Sequence, residues 1–362
     1  MVKESFRYRY GSLPLPVFFP DATRGVVRSI DTTDLTGTKT PGILVNTYHL
    51  IREIGIEKIR TFGGIGKFMN WKGAIISDSG GFQVGSLIKK NSNLGHIDDE
   101  GAHFRQEGGK HILLTPEKSI EFQMSLGVDM VVVLDDFTNP KANKAEAYDS
   151  VRRTLLWAER SKTKFEEICR EMNIPKEKRP YLLGVVQGGE FMDLRKICTE
   201  ELVKMGFDGL GWGGWPIIDG KLNFKSAEVI AENSPSDYLL YGLGIGKPED
   251  ITYMAKIGFN IFDCVLPTRD ARHRRLYTYN ASSLEEIDVS KPNFYSFINP
   301  SKKEFLEDLG PVSKACDCIT CRNYSRAYLS HLFKIGDFTA GRLATIHNLR
   351  FYSILMQKLQ RA

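Results

Sequence analysis

The chain predicts an α/β fold, a (β/α)8 TIM barrel followed by a smaller C-terminal subdomain. Three features of its 362 residues predict this. Short, continuous apolar runs recur along most of the chain, each ending in polar or Gly-rich residues. Stretches of helical character lie between them. Past residue 275 the alternation stops and three cysteines crowd together. An apolar run without polar alternation is a strand buried on both faces, and such strands pair in parallel sheets. About eight strand–helix units close a barrel, which takes roughly 250 residues. The surplus of roughly 100 residues over that size is assigned to insertions and the appended subdomain. The chain reads as one domain: a barrel over about residues 14–275, a closing C-terminal helix, and a subdomain over about 276–350.

In order, the runs are PVFFP, ILVNTYHL ending at Asn46, AIISDSGGFQ ending at Asp78, and VDMVVVLDD ending at Asp135 and Asp136. YLLGVVQGG follows, ending at Gln187, then FDGLGWGG at Gly213 and Gly214, YLLYGLGIG at Gly244, and FNIFDCVLP at Asp263. Pro116 and Glu117 open PEKSIEFQMSLG with a good first helical turn. Residues 141–171 are long, charged and periodic, and Pro248 and Glu249 open another helix. Residues 322–334 and 338–360 read as amphipathic helices. In barrels of this kind the chemistry sits at the C-terminal ends of the strands. Carboxylates at three separate run ends are placed to converge on one mouth.

A formal charge of +5 excludes both a strongly basic, histone-like binder and an acidic disordered chain. No apolar run reaches the ~18 residues of a membrane span, so no membrane partner is expected. The N-terminal MVKESFRYRYGSLPLPVFFP has Arg, Tyr and Pro where a signal peptide needs an apolar stretch. Six unevenly spaced cysteines do not make a disulfide framework, and a reducing cytoplasm is expected.

Three motifs carry chemistry. CDCITC followed by TIHN supplies Cys316, Cys318, Cys321 and, after 25 intervening residues, His347. Three thiolates and one imidazole fill a tetrahedral zinc site and leave no position open, so such a zinc is structural. The bland alternative is a reduced surface loop. SDSGGFQ places Asp78 at a strand end, with Gly80 and Gly81 letting a ligand approach the backbone, or else with Asp78 only capping the next helix. FDCVLPTRDARHRR puts Asp263 beside Arg269, Arg272, Arg274 and Arg275, which suits a polyanionic substrate or a plain solvated loop.

NTYHL, SDSGGFQ, VQGG, YGLGIGKP, FDCVLPTR and CDCITCRNYSRAYLSHLFK with TIHNL together resemble the tRNA-guanine transglycosylases, the bacterial-type queuine tRNA-ribosyltransferases. The resemblance runs from about residue 14 to 356. It implies a TIM barrel with a zinc subdomain that exchanges the wobble guanine of tRNAs with a GUN anticodon for a 7-deazaguanine. It further implies that Asp263 attacks C1′ of the target nucleoside and forms a covalent ribosyl-enzyme. Asp78 matches the family's general acid/base. Asp135 matches the carboxylate that reads the guanine-like edge, and Gln187 and the Gly214 N–H match the groups on O6. Phe82 and Leu243 match the two faces that sandwich the base. Arg269, Arg272 and Lys247 match positions near the RNA backbone, although Lys247 before Pro248 also suits a solvated helix start. Asn46 stands behind these groups, and His49 reads as a satisfied core histidine. A homodimer, in which one subunit reacts while the other holds the tRNA, is also implied.

The departures lie in the base pocket. Phe82 stands where many bacterial members carry Tyr, Phe137 where they usually carry Cys, and Asp21 where they usually carry an aliphatic residue near the 7-substituent. GWGGWPIIDG replaces a GGLAVGE-like segment, and Asp219 replaces a Glu. The peptide that reads the 7-substituent is Trp215–Pro216. Proline has no N–H, so only the Trp215 carbonyl remains there, as an acceptor. An amine-bearing base, 7-aminomethyl-7-deazaguanine or queuine, is expected over a nitrile, with Asp21 available to pair with the amine. Trp212 and Trp215 are open between pocket and packing roles. The alternatives are a paralogue that modifies DNA, a non-catalytic tRNA-binding partner subunit, a plain zinc-bearing RNA-binding module, and a metal-dependent barrel hydrolase. The second lacks support because Asp78 and Asp263 are both present. The third does not need carboxylates at three strand ends. The last needs clustered histidines at strand ends, and the seven histidines contain no H-x-H.

Overall fold

The computed structural model describes residues 3–90, 95–105, 111–215, 217–218 and 221–361. Eight parallel strands form the central sheet: β1 (Val17–Pro20), β2 (Gly42–Asn46), β3 (Ala74–Asp78), β4 (Met130–Val132), β5 (Tyr181–Val186), β6 (Gly209–Trp212), β7 (Leu239–Gly242) and β8 (Ile261–Cys264). Each falls within one of the eight apolar runs, except that β2 begins one residue before its run, at Gly42. The spatial order is β1-β8-β7-β6-β5-β4-β3-β2. A parallel bridge between Asp21 and Leu44 joins the two edges, and Ala22 N–H donates to the Leu44 carbonyl at 2.7 Å. That bridge closes the barrel, and it sits at the C-terminal end of β1.

Burial on both faces follows from the continuous apolar pattern. Every residue of β2, β5, β6, β7 and β8 is buried. Close packing demands glycine at defined points. A Cβ on Gly42 would lie 2.3 Å from the Phe19 ring, and one on Gly209 would lie 2.1 Å from the Leu239 carbonyl oxygen. At the bottom, a hairpin of Ser5–Tyr8 and Gly11–Pro14 covers the barrel. Its Phe6 is fully buried against Phe19 and Tyr181.

Helices wrap the sheet where the sequence pattern places them. Thr115 caps the Pro116–Leu126 helix, which has proline in its first turn. Asn143 and Glu146 form a capping box that opens Lys144–Glu171, three residues after the expected start at 141. The Pro248–Lys256 helix follows β7.

The C-terminal part holds an antiparallel pair, Leu276–Tyr279 with Tyr295–Ile298, and three helices: Ile319–Asn323, Arg326–Ile335 and Phe338–Leu359. The last helix differs from expectation. It is not amphipathic, because residues 343–356 are all buried. It packs on the Leu266–Arg272 helix, the Leu276–Tyr279 strand and β1, so apolar surface meets it on every side. Among the described residues no helix is long and apolar enough to cross a membrane.

Candidate active site and metal cluster

The C-terminal ends of β3 and β8 carry two carboxylates held in similar ways. Asp78 ends β3. Its Oδ2 accepts from Asn46 Nδ2 at 2.6 Å, and its Oδ1 accepts from the Thr47 and Gly80 N–H groups at 3.3 and 3.1 Å. Asn46 also caps the Thr47–Glu53 helix by accepting from His49 N–H at 3.0 Å. One amide thus aims a carboxylate and starts a helix. Gly80 has a φ of +79°, a left-handed conformation that glycine adopts without strain. A Cβ on Gly80 would meet Tyr48 at 3.1 Å, and one on Gly81 would meet Leu134 at 2.8 Å, so close packing also requires glycine here.

Asp263 lies in β8 and is buried. Its Oδ1 accepts from Tyr241 O–H and from Gly244 N–H, each at 2.8 Å. Oδ2 takes no hydrogen bond among the described residues, so one oxygen is anchored and the other is free. Among the described residues neither carboxylate has a cationic partner. Burial raises Asp78 to about 7, its three donors pull it down, and the Asp263 charge adds to the rise. Burial raises Asp263 to about 6, opposed by the Gly244 and Tyr241 donors and aided by the Asp21 charge. Near neutral pH the pair therefore offers one carboxylate that is mainly ionised and one poised to exchange a proton.

Asp135 follows β4. Gln187 Nε2 donates to Asp135 Oδ2 at 2.6 Å, and Gln187 Oε1 accepts from Thr138 N–H at 3.1 Å. Gln187 is fully buried. Gly214 has a φ of +85°, and a Cβ there would lie 3.2 Å from Gln187 Oε1. These three residues therefore meet. Phe82 is 44 % exposed and stands edge-on to Phe137, with ring centroids 5.1 Å apart. Leu243 is half-buried and faces Gly211 closely enough that a Cβ there would lie 2.9 Å from Leu243 Cδ1.

Asp21 extends β1 by one residue, and its Oδ1 accepts from the backbone N–H and the hydroxyl of Thr23. Its charge is felt by Asp263, His49 and Arg272, which places it on the same rim. Arg269 is exposed and Arg272 half-buried on the Leu266–Arg272 helix. Arg272 Nη1 is hidden from solvent without a hydrogen-bond partner among the described residues. Burial and the nearby Arg28 and Arg269 hold its guanidinium below the usual range, with Asp21 opposing them. Lys247 is exposed at the N-cap of the Pro248–Lys256 helix, without a side-chain cap bond.

Several readings change. His49 is not a satisfied core histidine. It is half-buried beside Asp21, Arg24 and Arg52, and its Nδ1 has no partner among the described residues. Trp212 is buried, and its Nε1 donates to Ser226 Oγ at 3.1 Å, so it is packing. Trp215 is 48 % exposed. Pro216 and Asp219 lie outside the described residues.

Two residues of the site were missed from sequence. Tyr241 is hidden inside an apolar run, although a buried phenol needs a partner and that need is itself a signal. Arg195 is fully buried, with Nε donating to the Gly189 carbonyl at 3.0 Å and Nη1 to the Val186 and Gly213 carbonyls at 2.8 Å each. It ties the chain ends of β5 and β6 together, and burial lowers it to about 10. Its signal is a lone cation on the otherwise apolar face of Leu194, Cys198 and Leu202.

The cysteine motif also converges. The ligating atoms of Cys316, Cys318, Cys321 and His347 all lie within 4.8 Å of one another. His347 Nε2 is 2.6 Å from the Tyr277 carbonyl oxygen. A carbonyl only accepts, so Nε2 carries the proton and Nδ1 presents its lone pair to the thiols. Nδ1 lies 3.2 Å from Cys321 Sγ and 3.7 Å from Cys318 Sγ. A histidine oriented by a carbonyl behind it is the arrangement metal sites use, and this cluster can hold a metal ion.

A family model described as Queuine tRNA-ribosyltransferase matches residues 5–362. Curated relatives bearing the same description include proteins from Shewanella denitrificans, 37 % identical over 97 % of this chain and 87 % of the relative, and from Shewanella sp. strain W3-18-1, 38 % identical with the same coverage. One from Solidesulfovibrio magneticus is 37 % identical over 98 % of this chain and 88 % of the relative. With eight parallel strands, two carboxylates at their C-terminal ends and a Cys3His cluster beyond them, the chain belongs to the queuine tRNA-ribosyltransferase family and is a pentosyltransferase.

Proposed function

We propose that this enzyme exchanges the wobble guanine of GUN-anticodon tRNAs for an amine-bearing 7-deazaguanine through a covalent ribosyl-Asp263 intermediate. The observation that carries this reading is the contrast between Asp263 and Asp78. Asp263 is anchored through Oδ1 alone, which leaves Oδ2 to attack C1′ while the C1′–N9 bond breaks. Asp78, raised to about 7, gives a proton to N9 of the departing guanine. It then takes the N9 proton of the incoming base, which attacks C1′ and releases Asp263. Two inversions retain configuration at C1′.

Asp135, Gln187 and the Gly214 N–H read the edge of the flipped base, and Phe82 and Leu243 stack on its faces. Arg195, by holding the Val186, Gly189 and Gly213 carbonyls, positions that edge without touching the base. The unpartnered Arg272 nitrogen, with Arg28 and Arg269 near it, suits an RNA phosphate. Lys247 is a further contact to the RNA backbone. Trp215–Pro216 offers the 7-substituent an acceptor and no N–H, and Asp21 on the rim offers it a negative charge.

Cys316, Cys318, Cys321 and His347 would hold one structural Zn2+, which ties the Ile319–Asn323 helix to the Phe338–Leu359 helix. The fold then works as a single transglycosylase domain with its zinc subdomain at about 276–350. We place the protein in the cytoplasm, where reduced thiols and tRNA coexist. A homodimer through the Arg326–Ile335 helix is supported by exposed Tyr328, Ile335 and Phe338 at that corner, with Tyr324 and Tyr328 stacked at 5.4 Å.

Labelled-guanine exchange into a GUN-anticodon tRNA tests the reading, with deazaguanines added one at a time as competitors. Exchange blocked by an amine-bearing base supports it. Tight incorporation of the 7-cyano base would refute the specificity argument. Inert tRNA with exchange into DNA would favour the paralogue reading.

A further inference from the structure

We propose that His96, Asp98 and His103 form a site for a divalent first-row transition ion on the surface hairpin that follows β3, separate from the cysteine cluster. His96 and His103 sit directly opposite each other in the antiparallel pairing of Gly95–Ile97 with Ala102–Arg105. Their rings stack with centroids 4.4 Å apart and planes 8° from parallel. Both Nε2 atoms approach the same oxygen, Asp98 Oδ2, at 3.5 Å from His96 and 3.1 Å from His103. The three ligand atoms lie within 4.8 Å of one another.

The other carboxylate oxygen is already used. Asp98 Oδ1 accepts from the Glu100 and Gly101 N–H groups at 2.9 and 3.1 Å, which aims Oδ2 at the two imidazoles. His103 Nε2 is shielded from solvent and faces Asp98 Oδ2. Two imidazole nitrogens converging on one carboxylate oxygen make a ready-formed three-ligand set. Two ligands each about 2.1 Å from a metal at a tetrahedral angle are about 3.4 Å apart. The observed 3.1 and 3.5 Å bracket that separation. Two imidazoles and one carboxylate select Zn2+, Ni2+, Co2+ or Cu2+ over Ca2+ and Mg2+, which prefer all-oxygen shells. Three protein ligands leave room for water to complete the shell.

The hairpin is already anchored next to the site. Asp99 accepts both terminal nitrogens of Arg152 at 2.7 and 3.0 Å, and its carbonyl accepts from Trp157 Nε1 at 3.0 Å. The adjoining strands pack on the Gly81–Lys90 helix, whose second residue is Phe82. An ion at His96, Asp98 and His103 would clamp the two strands that support this helix.

The test uses the full-length protein with its cysteine site zinc-loaded. After dialysis against excess Ni2+, elemental analysis should find one ion in the cysteine cluster and one more per chain. His96→Gln and His103→Gln should each lose only the second ion. A wild-type protein with a single ion, or variants that keep two, would overturn the proposal. Should a variant misfold, the wild type decides through its histidine NMR signals. Ni2+ should broaden the His96 and His103 resonances and leave His331 sharp, and equal sharpness of all three would overturn the site.

Discussion

At the barrel mouth Asp263 accepts, among the described residues, only from neutral donors, the Tyr241 hydroxyl and the Gly244 N–H, whereas in the C-terminal subdomain Asp317 is gripped by the Arg350 guanidinium at 2.5 and 3.1 Å and by Lys39 at 3.2 Å. The two carboxylates are both largely hidden, but their environments push them in opposite directions. Burial without a counter-ion raises Asp263 to about 6, while the guanidinium holds Asp317 at about 2. Under the proposed mechanism the contrast separates a carboxylate kept reactive from one kept as a fastener. A nucleophile pinned by a guanidinium would have its charge neutralised and its lone pairs occupied. Neutral donors orient Asp263 and leave Oδ2 without a hydrogen bond among the described residues.

The strongest way to break the comparison is Asp263→Asn. Exchange activity should fall by at least ~10⁴-fold, because an amide cannot open the reaction. No tRNA adduct should survive a denaturing gel, and full activity in this variant would sink the mechanism. The variant should also melt higher than wild type. A carboxyl whose folded pKa is raised favours the fold while protonated and loses that contribution as pH rises through about 6. Melting curves at pH 5 and 8 should therefore diverge for the wild type more than for the amide.

Cys318→Ser acts at the other end of the contrast. It should remove one metal per chain and destabilise the protein by at least ~3 kcal/mol, since ligand loss removes folding energy. Unchanged zinc content and melting temperature would contradict the zinc assignment.

A smaller loss is expected from Asp317→Asn, about 3 kcal/mol, because it strands the buried Arg350 charge. Denaturant titration reads the loss. Exchange per folded molecule should stay near wild type, and a selective fall in activity would break the division between fastening and reacting carboxylates.

Tyr241→Phe should give the smallest change and the sharpest one. The phenol favours the ionised form of Asp263, so its removal raises that group further. A bell-shaped kcat/KM profile with limbs near 6 and 7 is expected for the wild type. In the variant the acid limb should move to higher pH by up to about one unit, roughly 1.4 kcal/mol. A limb that stays in place or moves down would exclude Tyr241 from tuning the nucleophile.

Much of the fold was legible in the sequence because each barrel strand announces itself locally. ILVN and YLLGVV have no polar alternation, and that pattern suits only a strand covered on both faces. Asp78 and Asp263 were legible for a related reason, as carboxylates placed where such runs end. The convergence of Cys316, Cys318, Cys321 and His347 into one cluster was legible from thiol spacing and a trailing histidine. Other features depend on which surfaces meet. The Phe338–Leu359 helix reads as amphipathic until the subdomain and the barrel wall cover both its faces. His49 reads as core until Asp21, Arg24 and Arg52 surround it at the rim.

The sequence alone determined the barrel, its strand ends and the residue types available for chemistry, because hydrophobic period and chain order are local properties. It also determined that the Trp215–Pro216 peptide has no N–H, a matter of covalent structure. Only the tertiary structure decided how those groups behave. Tyr241 lies 22 residues before Asp263, and Asn46 lies 32 before Asp78, yet each sets the orientation and charge of its partner. Arg195 reaches carbonyls at the ends of two neighbouring strands, and His96 meets His103 only through hairpin register. Hydrogen-bond direction, desolvation and the field of neighbouring charges arise between segments distant in the chain, so they exist only once the barrel has closed.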